Sequence, residues 1–297
     1  MANGSFMSRN AAPTDPVPSQ SYVDLHIHTN RSDGTDAPTT VVERAAALGL
    51  AAIAITDHDT VAGVEEARHA AYNHDIEFLS GIEISASFGR AEVHVVGLGI
   101  NTGHTLLVDA LRELREGRDA RINKMIDRLN RLGIDLTRAE VEALSGGGVL
   151  ARLHVARALV ARGVTQTTQQ GFDKYIGAGR KAYVPKKTVS CFKAIDLIHG
   201  AGGLAVLAHP GVGSRTEKIL DRLLELPFDG IEIYHTRHTQ AQTTRFIQVA
   251  LERDLLISGG SDCHGTAVSN TPDLGNVRVP YHHFEAILSA LRQSRGF

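Results

Sequence analysis

Six short clusters in the 297-residue sequence carry side chains able to hold metal ions. His26-Ile27-His28 leads, with Asp33 close behind in Ser32-Asp33-Gly34. Thr56-Asp57-His58-Asp59, Gly81-Ile82-Glu83, a solitary His94, His209-Pro210-Gly211 and Asp262-Cys263-His264 follow. Imidazole nitrogens and carboxylate oxygens suit Zn, Mn or Fe, whereas a structural zinc knot would call for thiolates. The two cysteines, Cys191 and Cys263, are far apart and in no metal-binding spacing, so nitrogen and oxygen must supply the donors. An H-x-H on a strand places both imidazoles on one face, where they can grip one ion. Asp262 and His264 have the same relation, so Cys263 should point away. One carboxylate such as Glu83 can bridge two ions. A lone histidine at a strand end is usually a satisfied structural residue, but six such clusters at successive strand boundaries are hard to explain that way.

These side chains need elements to position them. Apolar runs recur at Tyr22–Ile27, Ala51–Thr56, Glu77–Ile84, Val93–Ile100, Leu204–Ala208, Gly230–Tyr234 and Leu255–Ser258. Helical patterns such as Thr39–Leu48 and Gly63–Ala71 alternate with them, which argues for parallel βα units in a barrel or an open sheet. In the first run Asp24, His26 and His28 share one face. Most clusters fall where an apolar run stops, and reactive groups in βα barrels project from those carboxyl ends. His94 is the exception, because it sits where its run begins.

The middle of the chain has a different rhythm. Ile122, Met125, Ile126, Leu129 and Leu132 follow helical spacing up to Gly133, with Arg118, Arg121, Lys124, Arg128 and Arg131 expected on the solvated face. Leu150–Arg162 reads as another helix, ending at Gly163. From Thr102 to Lys187 there are 16 Lys and Arg against 9 Asp and Glu, whereas the remainder holds 15 against 24. A basic helical insertion could therefore attract an anion while an acidic remainder holds cations.

A net charge of -2 and 42% hydrophobic residues describe a globular chain with room for one large domain and an insertion. No apolar run approaches the roughly 20 residues a membrane helix needs. Cysteine usage points to a reducing cytoplasm. Residues 1–20, with Pro13, Pro16 and Pro18 among polar neighbours, lack the apolar centre of a signal peptide and read as a disordered leader. The expected organisation is this leader, a barrel domain over 21–101 and 188–297, and a basic helical insertion subdomain over 102–187.

The clusters resemble the hallmark segments of the PHP (polymerase and histidinol phosphatase) superfamily. The match runs in order through Asp24-Leu25-His26-Ile27-His28-Thr29, Ser32-Asp33-Gly34, Thr56-Asp57-His58-Asp59, Gly81-Ile82-Glu83, His209-Pro210 and Ser261-Asp262-Cys263-His264. His94 in His94-Val95-Val96-Gly97-Leu98 and the helical insertion look closest to the TrpH-like or RNase AM-like branch. Its members remove the 3′-phosphate from nucleoside 3′,5′-bisphosphates and trim short RNA 5′ ends. The resemblance implies an α/β fold, a distorted (β/α)7 barrel with an inserted helical subdomain. It also implies two or three divalent ions, with manganese favoured over zinc or iron. One ion would take His26, His28, Glu83 and Asp262; a second Asp33, His58 and His264; a third Glu83, His94 and His209. In the insertion, Arg152 and His154, and Lys181 in Gly179-Arg180-Lys181-Ala182-Tyr183-Val184-Pro185, look like the branch's phosphate-contacting segments.

The chemistry expected is phosphoester hydrolysis, with a metal-bound hydroxide as nucleophile and no side-chain nucleophile. Arg152 and Lys181 could grip a second, non-reacting phosphate and so orient a bisphosphate. Asp59 is read as supporting the ligands, and the general acid is left open. The expected partner is a small phosphorylated nucleotide, or a short single-stranded RNA or DNA end, with no membrane and no obligate protein partner. Rival readings are a histidinol-phosphate phosphatase, a metal-dependent amidohydrolase and a catalytically silent nucleic-acid binding module. The amidohydrolase reading lacks a metal-bridging lysine at a strand end, and a silent module has no need of a full ligand set.

Overall fold

The run Ala52 to Ile55 shows how the apolar segments become strands. Ile53 and Ile55 pack against Val41, Val42, Ala45, Ala67 and Ala70 of the helices Pro38–Ala47 and Val64–Asn73. Ala52 and Ala54, on the alternate face, join Val96, Leu98, Leu204 and Val206 in a separate cluster. That two-residue period is the pleat of a strand buried on both sides. The computed structural model describes residues 21–145, 147–212, 214–265 and 274–294. The leader expected over residues 1–20 lies outside the described residues.

The strands are β1 (Tyr22–Ile27), β2 (Ala52–Ile55), β3 (Glu77–Phe88), β4 (Ala91–Leu98), β5 (Val189–Ser190), β6 (Leu204–Leu207), β7 (Gly230–His235), β8 (Leu256–Gly260) and β9 (Val279–Pro280). They form one sheet in the order β8-β7-β6-β4-β3-β2-β1-β9, with β5 beside β3. Beyond β8 the chain returns to β1. The Asp262 N–H donates to the His26 carbonyl, and the His28 N–H to the Cys263 carbonyl, both at 2.9 Å. The sheet thus nearly closes into a distorted α/β barrel, the fold expected from the sequence. Gly260 permits the seam, because a Cβ there would lie 2.8 Å from Asp24 Oδ1 and 2.5 Å from His26 Cβ.

Parallel pairing holds for β1 with β2, β2 with β3, β6 with β7 and β7 with β8. It fails at β4, which runs antiparallel to both β3 and β6. A tight turn at Gly89 (φ 59°) folds β3 directly onto β4 without a crossover helix. The reversal explains why His94 opens its run. In an antiparallel strand the beginning lies at the end where its parallel neighbours stop, so His94 faces Ser85 across the ladder, near Glu83.

The helix Thr105–Arg131 serves two cores. Leu107, Leu111 and Leu114 pack with barrel residues such as Val93, Val95 and Ile198. Just over two turns later Ile122, Met125, Ile126 and Leu129 pack with Leu136, Val141, Val155, Leu159, Ile176 and Val184. That second core gathers the helices Arg138–Ala143 and Arg152–Ala161 and the π-helical turn Phe172–Ile176. Among the described residues no helix is long and apolar enough to cross a membrane.

Candidate metal centre

Glu83 is the hub of the cluster. Its Oε2 lies 2.8 Å from His58 Nδ1, 3.3 Å from His28 Nε2 and 3.4 Å from His26 Nε2. Its Oε1 lies 2.8 Å from His94 Nδ1 and 3.1 Å from His209 Nε2. Asp262 Oδ1 is 3.2 Å from His28 Nε2, and Asp33 Oδ1 is 3.4 Å from His264 Nε2. Four groups of donors come close enough to share an ion: His28, Asp33, His58 and His264; His26, His28 and Asp262; His26, Glu83 and His209; His58, Glu83 and His94. The structure therefore gathers all nine ligand candidates named from the sequence. Their grouping is more interlaced than the resemblance implies, since His26, His28 and His58, like Glu83, each belong to two groups.

The donor set fits divalent cations. Ligands about 2.1 Å from an ion and at right angles to each other lie about 3 Å apart, the spacing of the contacts around Glu83. The Nε2 atoms of His26 and His28 are 3.2 Å apart. Asp33 Oδ1, His58 Nδ1, Glu83 Oε2 and His94 Nδ1 are buried with no hydrogen-bond partner. Donor atoms that converge without hydrogen-bond geometry are explained by a shared cation.

The charges agree. Burial opposes ionisation of Asp33, Glu83 and Asp262, but the surrounding imidazoles and their hydrogen bonds outweigh it and hold all three well below the usual carboxylate range. Burial likewise opposes charge on His94 and His264, yet Glu83 raises the first to about 9 and Asp33 the second to about 10. At His58 burial prevails and lowers the pKa to about 4.

Several residues that brace the ligands were given no role from the sequence. Asp57 accepts from the Thr29 N–H at 2.7 Å and from the Thr29 and Ser32 hydroxyls at 2.6 Å, shaping the loop that carries Asp33. Asp24 accepts from the Ser261 N–H at 2.9 Å, beside Asp262. Glu232, fully buried on β7, contacts His26 and His209. An acid inside the apolar run Gly-Ile-Glu-Ile-Tyr was the available signal, because a buried carboxylate requires partners. Three non-glycine residues at the site have positive φ: Asp59 at 52°, His209 at 27° and Asp262 at 57°. Such backbone persists only where its surroundings hold it.

Basic groups between Arg118 and Lys186 approach this cluster. Arg118 and Arg121, expected on a solvated face, are instead buried. Arg118 pairs with Asp59, and Arg121 Nε donates to the Val184 carbonyl at 2.8 Å. Arg152 lies over the Phe172 ring at 5.5 Å; Glu92 is held low chiefly by its hydrogen bond to His94, then by Lys186 and His94, and least by Arg152. His154 is fully buried, and its Nδ1 accepts the Ala151 N–H at 3.0 Å. Burial lowers its pKa to about 4, leaving a neutral ring whose Nε2 has no hydrogen-bond partner. Lys181 is exposed. The lysine at the acidic edge is Lys186, with Nζ 3.4 Å from Glu92 Oε1 and a pKa lowered to about 8 by burial and Arg118.

A nearly closed α/β barrel with interlaced imidazoles and carboxylates from β1, β3, β4 and the segments after β1, β2, β6 and β8 defines a metal-dependent hydrolase. Residues 24–178 match the PHP domain. With 37% identity over 87% of its length to a 3′,5′-nucleoside bisphosphate phosphatase of Chromobacterium violaceum, 94% of which is covered, the chain belongs to the PHP family of metal-dependent phosphoesterases. It is also 35% identical to the 5′-3′ exoribonuclease Rnm of Escherichia coli, over 81% of this chain and 84% of that protein. A metal-dependent phosphoesterase structure from Bifidobacterium adolescentis superposes with a TM-score of 0.84 at 33% identity, covering 92% of this chain and 96% of the other. A Chromobacterium violaceum structure described as an amidohydrolase with bound sulfate superposes with a TM-score of 0.78 at 35% identity, covering 92% and 97%.

Proposed function

We propose that the protein releases the 3′-phosphate of nucleoside 3′,5′-bisphosphates, and that the same centre trims short oligonucleotides from the 5′ end. The observation that carries this reading is the placement of Arg152, His154 and Lys186 of the insertion around an acidic ion centre. A substrate with two phosphates can give one to the centre and the other to these basic groups. Manganese is the proposed ion, with zinc or iron as substitutes, and the reducing cytoplasm the proposed compartment.

Nine residues would hold the ions: His26, His28, Asp33, His58, Glu83, His94, His209, Asp262 and His264. Divalent ions supply charge neutralisation on the phosphoryl oxygens and acidify water for in-line attack. The chain's own part is geometric and electrostatic. Asp57 and Asp24 fix the loops on which Asp33 and Asp262 stand. Arg152, stacked on Phe172, can present a planar guanidinium to phosphate oxygens in a preset orientation. His154, neutral and with a free Nε2, can share a hydrogen bond with an anion without binding it too tightly for release.

An amidohydrolase reading is less well supported, because no described strand contains a lysine that could bridge ions at the rim. Histidinol phosphate would bring its ammonium group toward Arg152 and Lys186, whereas a second phosphate is attracted there. Manganese-supplemented purification followed by assays on nucleoside 3′,5′-bisphosphates, 5′-phosphorylated short RNA, histidinol phosphate and amides tests the choice. Fastest turnover of the bisphosphate is expected, and a preference for histidinol phosphate or an amide would overturn the proposal.

A further inference from the structure

Glu232 makes two contacts with opposite ends of the ligand set, and both place the same demand on it. Its Oε1 is 2.9 Å from His26 Nδ1, and its Oε2 accepts the His209 backbone N–H at 2.7 Å. The side chain is fully buried, so water cannot replace either contact. We propose that Glu232 is a positioning residue that fixes the tautomer of His26 and the backbone of His209 together, and so sets the donors of β1 and of the segment after β6 for the same ions.

A backbone N–H can only donate, so Oε2 must accept. When His26 ligates through Nε2, which faces His28 Nε2, Glu83 and Asp262, its Nδ1 must carry the ring proton and Oε1 must accept as well. His209 has a φ of 27°, a strained conformation for a non-glycine residue that needs an external hold. Both oxygens of one carboxylate are thus used as acceptors. A glutamine has nearly the same shape but only one acceptor and one donor. In Glu232→Gln the amide NH2 must face either the His209 N–H or the His26 ring. The first sets donor against donor and frees the strained backbone. The second is relieved only if Nδ1 becomes the acceptor, which puts the ring proton on Nε2 and removes it as a ligand. A side chain that merely filled space would be replaced by glutamine without loss.

The test is Mn2+ binding to the full chain after chelator dialysis, measured by equilibrium dialysis with elemental analysis. Glu232→Gln should bind at least one ion about 10–100-fold more weakly than the wild type, while its metal-free unfolding midpoint stays near the wild-type value. Wild-type affinity and stoichiometry in Glu232→Gln would overturn the proposal. Should that variant not fold, the wild type decides. In the zinc-loaded protein, 15N–1H correlation spectra should show the His26 proton on Nδ1, and a proton on Nε2 would overturn it. Neither measurement depends on which phosphoester is the substrate.

Discussion

Arg118, on the helix Thr105–Arg131, forms a buried ion pair with Asp59 of the barrel. Its Nε donates to Asp59 Oδ2 at 2.8 Å, and its Nη2 lies 2.6 Å from the same oxygen. Asp59 also accepts from the Ser85 N–H at 2.7 Å and from the Ser85 hydroxyl at 2.8 Å. Asp59 follows His58, and Ser85 stands two residues beyond Glu83, so the pair ties the helix Thr105–Arg131 to the segments carrying both ligands. The aspartate's positive φ of 52° is held by these contacts.

Removing one member of a buried pair strands the other charge, which typically costs about 3–5 kcal/mol. Arg118→Ala should therefore lower the chemical-unfolding free energy by about that amount and weaken phosphate release in the folded fraction. Combining it with Asp59→Asn should cost much less than the sum of the two single changes, because no charge is left unpaired. Additive losses would show that the pair is not coupled.

His58→Ala and Asp262→Ala each remove one donor from the cluster: the imidazole that stands with Asp33 in one group and with Glu83 in another, and the carboxylate beside His28. Phosphate release should disappear in both variants while the far-ultraviolet circular dichroism stays that of the wild type. Neither side chain belongs to the apolar clusters that hold the barrel. Full activity in either variant would refute the ligand assignment.

The ligands were legible because strand ends announce themselves: an apolar run stops and a metal donor follows. His28, His58, His209 and Asp262 have that signature, whereas His26 and Glu83 lie within their strands. His94 was named as a donor but broke the pattern, since its place depends on β4 running antiparallel, and a run of alternating residues does not encode direction. Helical periodicity found the buried stripe of Ile122, Met125 and Leu129 but placed Arg118 outside. A periodic pattern assigns one apolar face, and this helix turns its charged face toward the barrel. Glu232 was missed for a related reason: an acid in an apolar run looks like an interruption until its two partners, from β1 and the His209 segment, are seen beside it.

Arg152 and Lys186 should act on substrate selection. Arg152→Ala is expected to raise KM for a nucleoside 3′,5′-bisphosphate about tenfold, equivalent to about 1.4 kcal/mol, and to change KM for a simple monophosphate far less. Lys186→Met should share that selectivity, because its Nζ lies at the Glu92 edge of the cluster. Lys181→Ala, at an exposed position, should change neither. Equal effects of Arg152→Ala on both substrates would remove it from the second phosphate site.

His154 should make the metal-free protein sensitive to acid. Burial, reinforced by Arg157 and Arg118, lowers its pKa from 6.5 to about 4, with Asp33 opposing. In the unfolded chain the imidazole takes up a proton as pH falls through 6.5, whereas the folded ring stays neutral until about 4. The unfolded state then binds more protons, so stability falls with pH across that window and levels off below it. A shift of this size corresponds to roughly 3 kcal/mol. His154→Gln removes the titration but keeps an acceptor for the Ala151 N–H, since glutamine at the third helical position makes the same return contact. Urea unfolding in the presence of a chelator at pH 7 and pH 4.5 should show a larger loss for the wild type than for the variant, by about 2 kcal/mol or more. His58 titrates in both proteins and cancels from the difference. Equal losses would mean that His154 is protonated in the folded state, and its neutral role beside the phosphate site would have to be given up.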